Sequence, residues 1–140
     1  MNFELNARLQ QDTLEVMDLH FSHLLLMNDS RFPWLVLVPK KNNILEIFEL
    51  EKIEQHQLLL EITEISKILK TMFNADKLNV ASIGNIVPQL HVHIVARTKN
   101  DSAWPSPVWG FGKSLPYSFE QAELIIHNLK DLIQSKTTLN

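Results

Sequence analysis

The 140-residue sequence predicts an α+β fold: an antiparallel sheet with one long helix and a C-terminal helix. Three observations carry this. Short runs of β-branched and aromatic residues alternate with turn residues. One stretch, from about Glu51 to Phe73, is apolar at helical spacing and contains no Gly or Pro. A helix-start signature, Ser118-Phe119-Glu120-Gln121, stands before the last apolar run.

The elements follow in chain order. Leu5–Gln11 reads as a short helix. From Glu15 to Met27 the pattern is strand-like, with His20, Ser22 and Leu24 on one face and Leu19, Phe21, His23 and Leu25 on the other. Asn28-Asp29-Ser30 is a turn cluster, because short polar side chains bond back to their own backbone. Phe32–Val38 reads as a second strand, with Pro33 near its start, where a missing N–H matters least. Pro39-Lys40-Lys41-Asn42-Asn43 ends it. In the long helix, Ile53, Leu60, Ile65, Ile68 and Met72 fall on related faces. Leu58-Leu59-Leu60 widens the apolar arc and predicts burial on more than one side. Asn74-Ala75-Asp76 closes that helix. Leu78–Ile83 is a third strand, Gly84–Pro88 a loop and Leu90–Ala96 a fourth strand. Asp101–Pro116 holds Pro105, Pro107 and Pro116 with Trp104 and Trp109, which predicts an extended, ordered loop. A helix from the Ser118 cap runs to about Gln134, and Ser135–Asn140 is expected to fray.

Composition bounds the function. A chain of this length buries roughly two thirds of its unfolded surface, enough for one core. No repeat, linker or charge block divides it, so a single domain over 1–140 is expected, with its core at about 15–97 and the Trp/Pro loop and helix at about 101–134. Hydrophobic residues make up 45%, and the net charge is −3, which together exclude disorder as the main state. Nucleic-acid binding domains carry a basic excess that this chain lacks. Without cysteine there is no disulfide, thiolate chemistry or Cys-based zinc site. The start, Met1-Asn2-Phe3-Glu4, has neither the basic nor the apolar region of a signal peptide, and no run is long enough to cross a bilayer. A cytoplasmic protein with no membrane partner is expected.

Gln89-Leu90-His91-Val92-His93-Ile94-Val95 is the segment that points to chemistry. In a strand, Leu90, Val92 and Ile94 share one face, and Gln89, His91 and His93 share the other. Neighbours on that face stand about 6.6 Å apart, which suits contacts to one anionic group with several oxygens. Gly84-Asn85 just upstream can let backbone N–H groups approach a phosphate. Two other readings fit the same residues. His-x-His can be a solvated strand face, or it can supply two zinc ligands. No third zinc ligand stands at a telling spacing, since His20, His23, His56 and His127 are scattered.

Gln89–Val95 resembles the His-φ-His-φ-His-φ-φ signature of the histidine triad (HIT) family of nucleotide hydrolases and transferases. The layout over roughly Glu15 to Arg97 is similar too, and Trp104-Pro105 resembles an element that some small members carry after the signature. The resemblance implies a HIT-like fold and a set of roles. His91 matches the nucleophile toward the α-phosphate, and His93 matches the third histidine. Asn28 matches the residue that binds the ribose hydroxyls. Gly84 and Asn85 match the phosphate-contacting step, with Ile86 where Ser or Thr is common. Gln89 replaces the first histidine. Gln can hydrogen-bond to a phosphate or leaving group but cannot act as an acid.

The implied reaction is covalent. His91 attacks the α-phosphorus of a dinucleoside polyphosphate or nucleoside phosphoramidate, and water releases the nucleotide. A backbone carbonyl would fix the His91 tautomer. His93, protonated or as a neutral donor, would stabilise the oxygens. Leu25 and Leu26 are candidates to sandwich the base, and Trp104 and Trp109 either cover the site or pin the loop. No cofactor is required, although magnesium can accompany a polyphosphate. The partners implied are the nucleotide and, as in small family members, a second copy of the chain. A nucleotide sensor weakened by Gln89 and a His-x-His metal site are the competing readings.

Overall fold

The computed structural model describes residues 2–136. Helix α1 (Ala7–Asp12) precedes strands β1 (Thr13–Asp18), β2 (Ser22–Met27) and β3 (Trp34–Pro39). Helix α2 (Lys52–Met72), strands β4 (Lys77–Ala81) and β5 (Val92–Arg97), and helix α3 (Phe119–Gln134) follow. The strands form one antiparallel sheet in the order β1-β2-β3-β5-β4. The expected α+β architecture is therefore present.

Alternation along the strands sends side chains to two separate cores. Leu24, Leu26, Leu35, Leu37, Leu90, Val92 and Ile94 pack beneath α2 and α3 with Leu58, Ile65 and Leu129. Leu25, Trp34, Val36, Val38 and Val95 pack on the opposite face with Leu9 of α1 and with Ala103 and Val108 of the loop after β5. Every residue of β3 and β5 is buried. Burial on both faces explains why Trp34–Val38 is a continuous apolar run with no polar alternation.

Two expectations need correction. Glu15–Met27 is not one strand but the hairpin β1–β2, reversed at Leu19-His20-Phe21. That turn contains none of the usual turn residues, and groups distant in sequence hold it. Phe21 donates its N–H to the Glu61 carboxylate at 2.9 Å, and the Lys40 ammonium donates to the Leu19 carbonyl at 2.8 Å. The apolar arc of α2 is not buried on more than one side. Leu58, Ile65 and Ile68 face the core, whereas Leu59 is 61% and Ile53 68% exposed, because the sheet and α3 cover only one side of the helix.

Boundaries elsewhere shift by a residue or two. Ile83 lies beyond β4, and His91 stands just ahead of β5. The capping box at Ser118 is formed, its hydroxyl accepting from the Gln121 N–H while the Gln121 side chain accepts from the Ser118 N–H. Of the expected fraying tail, residues 137–140 lie outside the described residues, and Lys136 still donates its N–H to the Ile133 carbonyl. Among the described residues, no helix is long and apolar enough to cross a membrane.

Candidate active site

The entry to β5 places two imidazoles side by side. Leu90 and Val92 anchor in the helix-covered core, so His91 and His93 turn to the other face, with ring centroids 4.9 Å apart and planes at 73°. Their hydrogen bonds differ in kind. The His91 Nδ1 lies 2.7 Å from the Gln89 carbonyl. A carbonyl only accepts, so Nδ1 carries the proton and the neutral ring keeps a lone pair on Nε2. The expected backbone carbonyl is thus Gln89's own.

His93 has the reverse arrangement. The Trp34 indole Nε1–H donates to its Nδ1 at 3.0 Å. Indole N–H is a donor only, so Nδ1 offers its lone pair and the neutral ring carries its proton on Nε2. Trp34 and Trp109 enclose the ring with centroids at 5.7 and 5.4 Å, both near edge-to-face, and touch each other at 5.8 Å. This burial, with a smaller contribution from His91, pulls the His93 pKa down to about 4.

Both histidines line a cleft of about 410 Å³. Leu9, Met27 and Val87 supply apolar wall, the Gly84-Asn85 loop forms one lip, and Arg8 and Asp12 of α1 stand at another. Gly84 has φ +69°, a conformation that side-chain-bearing residues rarely adopt. A second cleft of about 420 Å³ shares Arg8, Asp12, Met27 and Trp34 with the first and continues to Asn28, Arg31 and Phe111. There Asp29 is buried, which by itself would raise its carboxyl. Hydrogen bonds from the Arg31 guanidinium and from the N–H groups of Arg31 and Leu115 outweigh this and hold it below the usual carboxylate range.

The residues singled out in the sequence divide accordingly. His91, His93, Gly84 and Asn85 meet in one cleft. Gln89 does not line it. Its Oε1 accepts from the Asn6 N–H and its Nε2 donates to the Glu4 carbonyl, both at 2.9 Å. Asn28 borders the adjoining cleft, with its side-chain oxygen accepting from the Tyr117 N–H at 2.9 Å. Leu25 and Leu26 are core residues on opposite faces of the sheet. Trp109 lines the first cleft, whereas Trp104 packs its ring against the Arg97 guanidinium at 5.6 Å. The exposed His20, His56 and His127 lie elsewhere.

Sequence reasoning missed Trp34, Arg8 and Asp12. A signal for Trp34 existed: it is the one indole in an otherwise aliphatic strand, and a buried indole N–H needs an acceptor. Arg8 and Asp12 carried no such signal, since an i,i+4 ion pair on a short helix reads as a solvated surface.

Fold and site together define an α+β protein with two imidazoles of opposite tautomer set side by side at a cleft. The HIT domain family model matches residues 8–100, and the chain belongs to that family. It is similar to histidine triad proteins of known structure from Bradyrhizobium japonicum and Marinobacter aquaeolei. The first is 42% identical, with 95% of this chain and 99% of that one covered and a TM-score of 0.93. The second is 41% identical, with coverage of 96% and 98% and a TM-score of 0.94. A HIT protein from Sinorhizobium meliloti is 41% identical over 92% of this chain and 96% of that one, with a TM-score of 0.91. No curated protein matches the chain significantly.

Proposed function

We propose that this protein is a nucleotide phosphohydrolase or nucleotidyl transferase. It cleaves at the α-phosphate of a dinucleoside polyphosphate or a nucleoside phosphoramidate through a covalent nucleotidyl-histidine. The observation that carries the reading is the His91 Nδ1–H bond to the Gln89 carbonyl, which leaves the Nε2 lone pair available at the cleft.

That lone pair forms the N–P bond while the bond from the α-phosphorus to the leaving group breaks. A polyphosphate departs as an anion, and an amine departs after taking a proton from solvent water. Water then attacks phosphorus, the N–P bond breaks, and the nucleoside monophosphate leaves with His91 restored. The His93 Nε2–H and the N–H groups of the Gly84-Asn85 loop donate to the phosphoryl oxygens as charge builds on them. Asn28 offers its remaining side-chain N–H groups to the ribose hydroxyls across the adjoining cleft. Magnesium would ride with a polyphosphate substrate and neutralise its charge.

One observation favours a second reading, a catalytically weak nucleotide sensor. Gln89 stands in the sequence where the resemblance expects a first histidine, and both its polar atoms bond the N-terminal segment, so no acid stands there for the leaving group. The test is intact-protein mass spectrometry after rapid mixing with adenylyl phosphoramidate or diadenosine tetraphosphate, beside His91→Ala. The hydrolase reading expects a transient AMP adduct on wild type only, followed by AMP release. Nucleotide binding with neither adduct nor AMP would sink it and put the sensor first.

A further inference from the structure

We propose that Trp34 is a positioning residue, whose indole locks His93 as the neutral tautomer with its proton on Nε2, so that His93 acts as a fixed N–H donor and not as an acid. The inference rests on the reading of the cleft as a phosphoryl-transfer site and names a residue which that reading does not need.

The geometry of three elements supports it. Strand β3 pairs with β5 so that Val36 lies opposite His93 and Trp34 opposite Val95. Trp34 and His93 thus share one sheet face one diagonal apart, within reach of an aromatic side chain. The indole Nε1–H then meets the His93 Nδ1 at 3.0 Å. Trp109, from the loop after β5, closes the other side of the ring at 5.4 Å. Rotating the imidazole would bring a C–H against the indole N–H. Moving the proton to Nδ1, or adding a second one, would bring N–H against N–H. Each leaves a buried donor without an acceptor, with the desolvation of that N–H uncompensated.

The surroundings act in the same direction. His93 is 6% exposed, and burial already disfavours its charged form. From just ahead of its strand His91 faces it at 4.9 Å. From α1, Arg8 and Asp12 line the same cleft, but each other's side chain is their ion-pair partner. Strand β3 and the loop present Trp34, Val36 and Trp109, none of which titrates in this range. The adjacent histidines therefore receive opposite instructions: an acceptor beneath His91 bares its Nε2, and a donor beside His93 places a proton there. A nucleophile and an oxyanion donor arise from one residue type two positions apart.

The experiment is nitrogen NMR of the uniformly 15N-labelled full chain from pH 4 to 8, with His93→Asn used to assign the ring. The expected result is a scalar coupling across the hydrogen bond between Trp34 Nε1 and His93 Nδ1. The His93 shifts should report the Nε2–H tautomer, neutral down to about pH 4. In Trp34→Phe the tautomer preference should disappear and the protonation midpoint should rise by about one unit, a tenfold change in proton affinity. A wild-type ring with its proton on Nδ1, or no coupling, would overturn the proposal. So would a folded Trp34→Phe protein with unchanged His93 tautomer. If that variant does not fold, the wild-type coupling decides alone. No substrate enters this readout, so it fails or stands separately from the hydrolase reading.

Discussion

The two faces of the sheet are both apolar and both covered, but by different means. One face lies under α2 and α3, whose backbones satisfy their own hydrogen bonds, so side-chain packing makes most of that cover, with Glu61 of α2 also accepting from the Phe21 N–H. The other lies under α1 and an irregular loop, whose backbone needs partners from elsewhere. Asn28 supplies Tyr117, Asp29 supplies Leu115, Gln89 supplies Asn6 and Glu4, and Arg97 supplies the Ser106 carbonyl. The loop face stays open around His91 and His93. The difference teaches that polar side chains beside a site can be occupied in holding its cover, and residue type alone does not separate them from side chains that meet a ligand.

Arg97 is where this comparison breaks most visibly. It ends β5 at 1% exposed and bonds Asp101 twice, at 2.7 and 3.0 Å, as well as Asn79 and Ser106 at 2.8 Å. Trp104 and Phe32 stack against its guanidinium. Arg97→Ala should cost about 3–5 kcal/mol in chemical denaturation, because it removes a buried guanidinium and leaves the half-buried Asp101 carboxylate without its partner. The loop carrying Trp109 should detach with it, seen as loss of the Trp109 ring contacts to His93 in NMR. If stability falls while Trp109 stays over His93, the loop face is held by its apolar contacts and not by this network.

Leu129→Ala probes the opposite face. Leu129 is fully buried among the helix-covered core residues. Its truncation should cost about 2–5 kcal/mol through lost transfer energy and a cavity. The His93–Trp34 bond, across the sheet, should survive in the folded fraction. A shift in the His93 tautomer in this variant would show that the two faces are not independent.

How much was legible follows the same division. The helical face was readable: α2 was expected from Glu51 to Phe73 and spans Lys52–Met72, and α3 was expected to end at about Gln134 and does so. Periodicity and a capping box are local signals, and regular elements obey them. The paired orientation of His91 and His93 was readable because strand alternation is equally local. The hairpin at Leu19–Phe21 was not, since Glu61 and Lys40 stabilise it from 40 and 21 residues away. Trp34 was not read as a site residue either. Its role appears only once β3 lies beside β5, a pairing between segments 59 residues apart.

Gln89 gives the finest discrimination between the two kinds of polar residue. Two separate parts of it matter. Its carbonyl orients His91 at 2.7 Å, and its side chain bonds the backbone at Asn6 and Glu4. Gln89→Ala removes the second and keeps the first. If the side chain is a fastener for the N-terminal segment, the loss should be about 1–2 kcal/mol, the sum of two modest hydrogen bonds. Amide exchange at Asn6 should accelerate, since its N–H loses its acceptor. The rate of AMP adduct formation at His91 should stay within about threefold of wild type, a change worth less than about 0.7 kcal/mol of barrier. A loss of a hundredfold or more with the His91 tautomer intact would mean that the amide reaches the substrate during turnover. Gln89 would then have to leave Asn6 and Glu4 for the leaving group, and α1, which begins one residue after Asn6, would have to move with each catalytic cycle.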